Sequence, residues 1–191
     1  MSYLDLSINH SYISYGDDNI ASAFLNPVLS HTQLYRRSVG FFSSSVFIPI
    51  IDGIVDLCRN GGMIQLIASP NLSEDDINAI QLGYQKREEI ISNAFSREFC
   101  SVIEDLSDPH LLLLAELIAT STLDIKIAIT NGSGIYHDKL GILDDFDGNT
   151  IVFYGSSNSS LAGYQNNYEK IRVVKSWNAS DLESIQDECN E

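Results

Sequence analysis

Basic residues are scarce in this chain of 191 residues: 11 lysines and arginines stand against 26 aspartates and glutamates, a formal net charge of −15. This balance fits poorly with a protein that grips nucleic acid by bulk electrostatics, because phosphate contacts need Lys and Arg. There is also no basic amphipathic face for an anionic membrane. Cysteine is sparse as well. Cys58, Cys100 and Cys189 lie far apart with no C-x-x-C spacing, which suits a reduced, cytoplasmic compartment. The N-terminus, MSYLDLSINHSYISYG, lacks the basic stretch and apolar run of a secretory signal. Long apolar runs are missing too: Leu111 to Ile118 is short and interrupted by Glu116. A soluble cytoplasmic protein with no membrane partner is expected.

What is present is a globular composition, 44% hydrophobic and 19% charged. At this length one main domain is the default, with room for a core that needs no disulfide or metal. Residues 37–42 (RSVGFF) read as a buried strand, and Ser43-Ser44-Ser45 as the cap of a helix through Val46, Ile50, Ile54 and Leu57. Asn60-Gly61-Gly62 ends that helix, and residues 63–68 (MIQLIA) form the next strand, parallel to the first because a helix joins them. Ser73 opens a helix running to about Ala94, and Pro109 restarts one through Thr120. Strands follow at 123–130, 136–144, 150–154 and 168–174, and an acidic, exposed helix at 181–191. The N-terminal residues read as an arm with a helix over 19–29. The strand–helix–strand order predicts an α/β domain with a mixed, mostly parallel central sheet flanked by helices on both faces.

The acidic residues cluster at Asp17-Asp18, Glu74-Asp75-Asp76, Asp144-Asp145 and the last eleven residues, whereas Arg36, Arg37, Lys139, Lys170, Arg172 and Lys175 fall in or near strands. A local basic groove on an acidic body is compatible with this pattern, with weak, salt-sensitive affinity.

The chemistry concentrates in two stretches, HDKLGILD from His137 and GSSNSSLAGYQNNYE from Gly155. Residues two apart on a strand share a face, so His137 and Lys139 are expected to project together. Ser156, Asn158, Asn167 and Glu169 then return after a turn. An imidazole, a fixed cation, neutral donors and a carboxylate suit attack on a phosphodiester, whose transition state spreads charge over non-bridging oxygens. Lys139, Ser156 and Asn158 can bind those oxygens. A neutral histidine can attack phosphorus, and a charged one can protonate the leaving oxygen, but one histidine cannot do both in one step. Glu169 is expected to hold His137 in its reactive tautomer, and Asp144 to be structural. Each piece alone has a plainer reading: a polar strand face, a serine-rich turn, loop asparagines, a cross-strand ion pair. All must be coincidental at once for the site to vanish.

These residues resemble the phospholipase D superfamily, whose signature is H-x-K-x4-D, then G-S-x-N, then N-x-E. His137, Lys139 and Asp144 fill the first part, Gly155, Ser156 and Asn158 the second, and Asn167 and Glu169 the third. The spacing resembles the small bacterial endonucleases of the superfamily. The resemblance implies a catalytic set of His137, Lys139, Asn158 and Glu169, phosphate binding by Lys139, Ser156 and Asn158, support from Asp144, Gly155 and Asn167, and neither metal nor other cofactor.

One copy of the motif is present; His10, His31 and His110 have no lysine two residues on. The second imidazole is therefore expected from a second chain, in a homodimer with a composite site, as the resemblance also implies for single-motif members. The resemblance implies a DNA endonuclease working through a phosphohistidine, in a restriction or anti-phage defence protein, with a fused or associated helicase or ATPase. A non-catalytic dimerisation or nucleic-acid docking module and a lipid phosphodiesterase are the alternatives. The domain reading is an arm and helix over 1–30, a phospholipase D-like nuclease domain over 31–178, and over 179–191 an acidic helix that starts a linker to a further domain.

Overall fold

The structure is a computed structural model describing residues 1–16, 19–69, 73–93, 108–128, 136–161, 164 and 167–190. The expectations for Asp17, Asp18, Ala94, Cys100, Thr130, Asn166 and Glu191 fall outside the described residues. The strands are β1 (Ser11–Ile13), β2 (Thr32–Val39), β3 (Met63–Ala68), β4 (Leu123–Ile127), β5 (Lys139–Asp145), β6 (Thr150–Gly155) and β7 (Lys170–Lys175). The helices are α1 (Asn26–Leu29), α2 (Ile51–Arg59), α3 (Glu74–Asn93), α4 (Pro109–Ala119) and α5 (Leu182–Asn190). A π-helical turn, Ile20–Leu25, leads into α1, and 3-10 turns cover Tyr3–Asp5 and Ser44–Phe47.

The strands form one seven-stranded sheet in the order β1-β7-β6-β5-β2-β3-β4. The mixed α/β sheet matches the expectation, but its parallel majority does not. Only β2–β3 and β3–β4 pair in parallel, whereas β2–β5, β5–β6, β6–β7 and β1–β7 are antiparallel. The two parallel pairs are those with helical crossovers. At the Asp147-Gly148 turn Gly148 takes φ +85°, a tight reversal that leaves β5 and β6 antiparallel. β1 escapes the sequence reading because three residues are too short to show alternation.

One sheet face carries the main core. Tyr35, Val39, Ile64, Leu66, Leu123, Ile125, Leu143, Phe153, Ile171 and Val173 pack there with Phe24, Leu25, Leu57, Leu114 and Ile118 from the helical layer, and Tyr3 joins them. The opposite face is covered by α5, where buried Ile185 meets Ile142, Val152 and Val174. Helices thus lie on both faces, and α5 is a packed element rather than the exposed one its acidity suggested. Its apolar stripe is one isoleucine wide, too narrow for periodicity to register.

Pro49 splits the helix expected from Ser43 into the 3-10 turn and α2, since proline lacks an N–H and restricts its predecessor. Ser73 caps α3 as expected: its Oγ accepts from Asp76 N at 3.1 Å and donates to Asp76 Oδ2 at 2.7 Å. No helix among the described residues is long and apolar enough to cross a membrane.

Asp145 ends β5 as a buried anchor for the N-terminus. It accepts from Tyr3 N at 2.8 Å, Asp147 N at 2.9 Å, and Asn149 N and Nδ2 at 2.8 Å each. Burial by itself raises its pKa, but the bonds from Tyr3, Asn149 and Asp147 outweigh it, so the net shift is downward. Its stabilisation is therefore complete above the ordinary value of 3.8 and is lost as pH falls through the depressed one. Asp145→Ala leaves these donors unsatisfied and should cost about 3 kcal/mol in urea unfolding at pH 7. The gap between parent and variant should close as the pH is taken down through that window.

Candidate active site

β2 and β5 lie side by side, with Val39 opposite Lys139, so the segment entering β5 is held by residues at the end of β2. His137 and Asp138 precede the strand rather than lying within it. Ser38 Oγ donates to Asp138 Oδ2 at 2.6 Å and is hydrogen-bonded to the Tyr136 hydroxyl. His137 sits directly against Gly40, where a β-carbon would come 2.8 Å from His137 Cα and 2.9 Å from its ring Cδ2. The glycine makes the space the histidine occupies. Lys139 Nζ lies 3.1 Å from His137 Nδ1, 3.2 Å from Nε2 and 3.2 Å from the His137 carbonyl oxygen. An ammonium only donates, so a hydrogen bond to the ring is made to an unprotonated nitrogen. The ammonium and imidazole are together, although the strand alternation invoked for them begins only at Lys139.

The second stretch leaves β6 at Gly155, whose close approach to β7 explains the residue: a β-carbon would lie 2.1 Å from the Lys170 carbonyl oxygen. Ser156 is fixed to β7 through its N–H to Lys170 O and its Oγ from Lys170 N, each 3.2 Å. Ser159 forms a bridge with Phe42, and its carbonyl accepts from Ser43 N at 3.0 Å. Between these anchors stands Asn158, whose Oδ1 is buried without a hydrogen-bond partner among the described residues. Glu169 is placed by β1: Ser14 Oγ accepts from Glu169 N at 2.9 Å, and Ser14 N donates to Glu169 O at 3.0 Å.

His137, Lys139, Gly155, Ser156, Asn158 and Glu169 come together on one open groove of about 750 Å³, with Asp138, Leu140, Tyr154 and Glu188 completing its walls. Two motif residues do not line it. Asp144 projects to the other sheet face, where it pairs with Arg36 and accepts from Thr150 Oγ1 at 2.8 Å. Asn167 contributes its backbone, its carbonyl accepting from Ser14 Oγ. A second hollow of about 490 Å³ adjoins the groove over that other face, sharing Asp138, Leu140 and Glu188 with it and lined also by Arg36, Gln65, Ile67 and Ile142; none of the signature residues lines it.

Among the described residues no hydrogen bond joins Glu169 to His137; the carboxylate acts on Lys139 instead. Burial first, and then the Arg37 charge, hold the Lys139 ammonium below its ordinary pKa of 10.5, while Glu169 and Asp138 oppose that shift. The sequence reading missed Gly40, Ser14 and Ser38 as contributors, and named Arg37 only as one of several basic residues in or near strands. Gly40 within the strand-like RSVGFF run carried the available signal, since glycine there marks a close approach.

Two outcomes follow. Glu169→Gln removes the charge that holds Lys139 up, so the lysine should titrate at lower pH than in the parent, read by side-chain NMR. Gly40→Ala should displace His137, lowering phosphodiester hydrolysis at least about tenfold while stability falls by about 1–3 kcal/mol.

A family profile described as "Cardiolipin synthase, PLD-like domain" matches residues 38–188. Curated protein sequences give no match. Solved structures similar to this one include NucT from Helicobacter pylori, at 18% identity and TM-score 0.48, covering 87% of this chain and 83% of that one. Nuc from Salmonella typhimurium, a phospholipase D family member, gives 17% identity and TM-score 0.48, with 94% and 93% covered. Phosphatidylserine synthase from Haemophilus influenzae gives 12% identity and TM-score 0.49; 93% of this chain covers only 37% of that one. With the profile spanning the strands that build the groove and the signature residues assembled on it, the chain belongs to the phospholipase D-like domain family.

Proposed function

We propose that the chain is a metal-independent nuclease that cuts DNA through a phosphohistidine intermediate in a site shared by two copies. The observation that carries the nucleic-acid reading is the groove itself. Its walls are polar, with Leu140 and Tyr154 the only apolar side chains among the described lining residues, and it is open. A diacyl lipid would need apolar walls for its chains, whereas a nucleic-acid backbone presents only sugar and phosphate at the scissile bond.

On this reading Lys139 and Asn158 bind the non-bridging oxygens, joined by Ser156. Neutral His137 attacks phosphorus, forming an N–P bond as the P–O bond to the leaving oxygen breaks. The partner's His137, protonated, gives its proton to that oxygen, then accepts one from the water that cleaves the N–P bond. Glu169 steadies the Lys139 charge. The need for a second chain is supported by the groove holding one imidazole. His10, His31 and His110 do not line it, and His31 is bonded locally to Ser30 Oγ at 2.8 Å and to Pro27 O at 3.2 Å. The net charge of −15 leaves little bulk attraction for DNA, so a fused or associated helicase or ATPase supplies affinity, as in a restriction or defence protein.

Plasmid DNA incubated in excess EDTA should be cut by the parent and not by His137→Ala, a loss of at least about a thousandfold. Sedimentation should show a dimer, and parent mixed with His137→Ala should lose activity in proportion to mixed dimers. Head-group release from phosphatidylcholine vesicles without DNA cleavage would replace the nuclease reading with a lipid phosphodiesterase. Failure to cleave either, with or without an ATPase partner, would leave a docking module.

A further inference from the structure

Arg37 projects from β2 into the core side of the sheet and is 4% exposed. A buried guanidinium ordinarily lies against a carboxylate, because desolvating an unpaired charge is costly. Among the described residues no ion pair includes Arg37. It is held by neutral groups instead. Nε donates to Ser159 Oγ at 3.1 Å, Nη2 donates to the Ser157 carbonyl at 2.7 Å, and the guanidinium lies 4.9 Å from the centre of the Phe153 ring. Nη1 is buried with no hydrogen-bond partner among the described residues.

Both bonded serines flank Asn158, so the arginine grips the segment carrying that residue from beneath, on either side. On the β2–β5 register Arg37 is opposite Gly141, and Lys139 is the diagonal neighbour on the same face. A buried cation with no counter-ion among the described residues, diagonal from the phosphate-binding lysine, is an arrangement that gains when an anion arrives.

We propose that Arg37 is a positioning residue of the phosphodiester site: it sets the Ser157–Ser159 segment, and its uncompensated charge lies behind Lys139 to meet the bound phosphate. This rests on the phosphodiesterase reading above. The guanidinium does not touch the substrate; it acts through Asn158 and through the field in the groove. The Lys139 ammonium accordingly feels Arg37 from β2, Glu169 ahead of β7 and Asp138 from its own segment; His137 lies against it, and Glu188 of α5 stands on the same groove wall.

The test compares Arg37→Met, which removes the charge and the bonds, with Arg37→Lys, which keeps the charge but loses the two-sided grip. Three measurements are made on the parent and both variants: kcat and KM on DNA, the Lys139 side-chain NMR titration, and the rise in Tm with inorganic phosphate. Arg37→Met should lower kcat about a hundredfold, move the Lys139 titration to higher pH, and lose the phosphate-dependent rise in Tm. Arg37→Lys should restore the titration and the rise while kcat remains more than tenfold down. A folded Arg37→Met with parent-like Lys139 titration and phosphate response overturns the proposal. If Arg37→Met does not fold, parent-like kcat in Arg37→Lys overturns it. A parent that cuts no phosphodiester sinks the nuclease reading alone, since the NMR and phosphate measurements still decide the role of Arg37.

Discussion

The ring of Phe153 fills the space that a side chain on Gly141 would need: a β-carbon there would lie 2.1 Å from ring Cε1. Over the same ring, from the strand on the other side of Gly141, lies the Arg37 guanidinium. Three neighbouring strands therefore meet at one glycine, one aromatic ring and one cation. Because β5, β6 and β2 carry or precede Lys139, Gly155 and Gly40, the packing at that point sets how their ends converge. The ring also belongs to the core, stacking edge-on against Phe24 with centroids 5.3 Å apart. The site is tied to the hydrophobic interior through it.

Charge in this protein is a matter of placement rather than of total. Acidic residues dominate the chain, yet where the groove forms, Lys139 sits beside His137 and Arg37 lies buried beneath the neighbouring segment. In a partly desolvated setting one well-placed cation influences a phosphate more than several exposed ones, which water and salt screen. Acidic surface and phosphodiester chemistry are thus compatible, at the expense of long-range attraction for a polyanion. The Arg36–Asp144 pair on the opposite face shows the ordinary alternative, an arginine neutralised by a neighbouring strand.

Much of the arrangement was legible in the residues. The caps and breaks of α3 and α4 follow from Ser73, Asp76 and Pro109, and β3 from the apolar run that follows Asn60-Gly61-Gly62. The grouping of His137, Lys139, Ser156, Asn158 and Glu169 followed from the spacing of three linked clusters. Less was visible of what supports them. Arg36 and Arg37 are adjacent and alike in sequence, but strand alternation sends one to a surface ion pair and the other into the core. Asp144 and Asp145 divide in the same way, and Asp145, in sequence only one of an acidic pair, is the N-terminal anchor.

The sequence by itself determined the local structure and the chemical inventory, because caps, turn residues and motif spacing act over a few residues along the chain. Tertiary structure decided which pairings are antiparallel, that α5 covers the second face, that Gly40 seats His137, and that Arg37 lies beneath Asn158 with no ion pair among the described residues. Each of these depends on contacts between residues far apart in sequence. Local propensity carries no information about such contacts, and only the register of neighbouring strands fixes them.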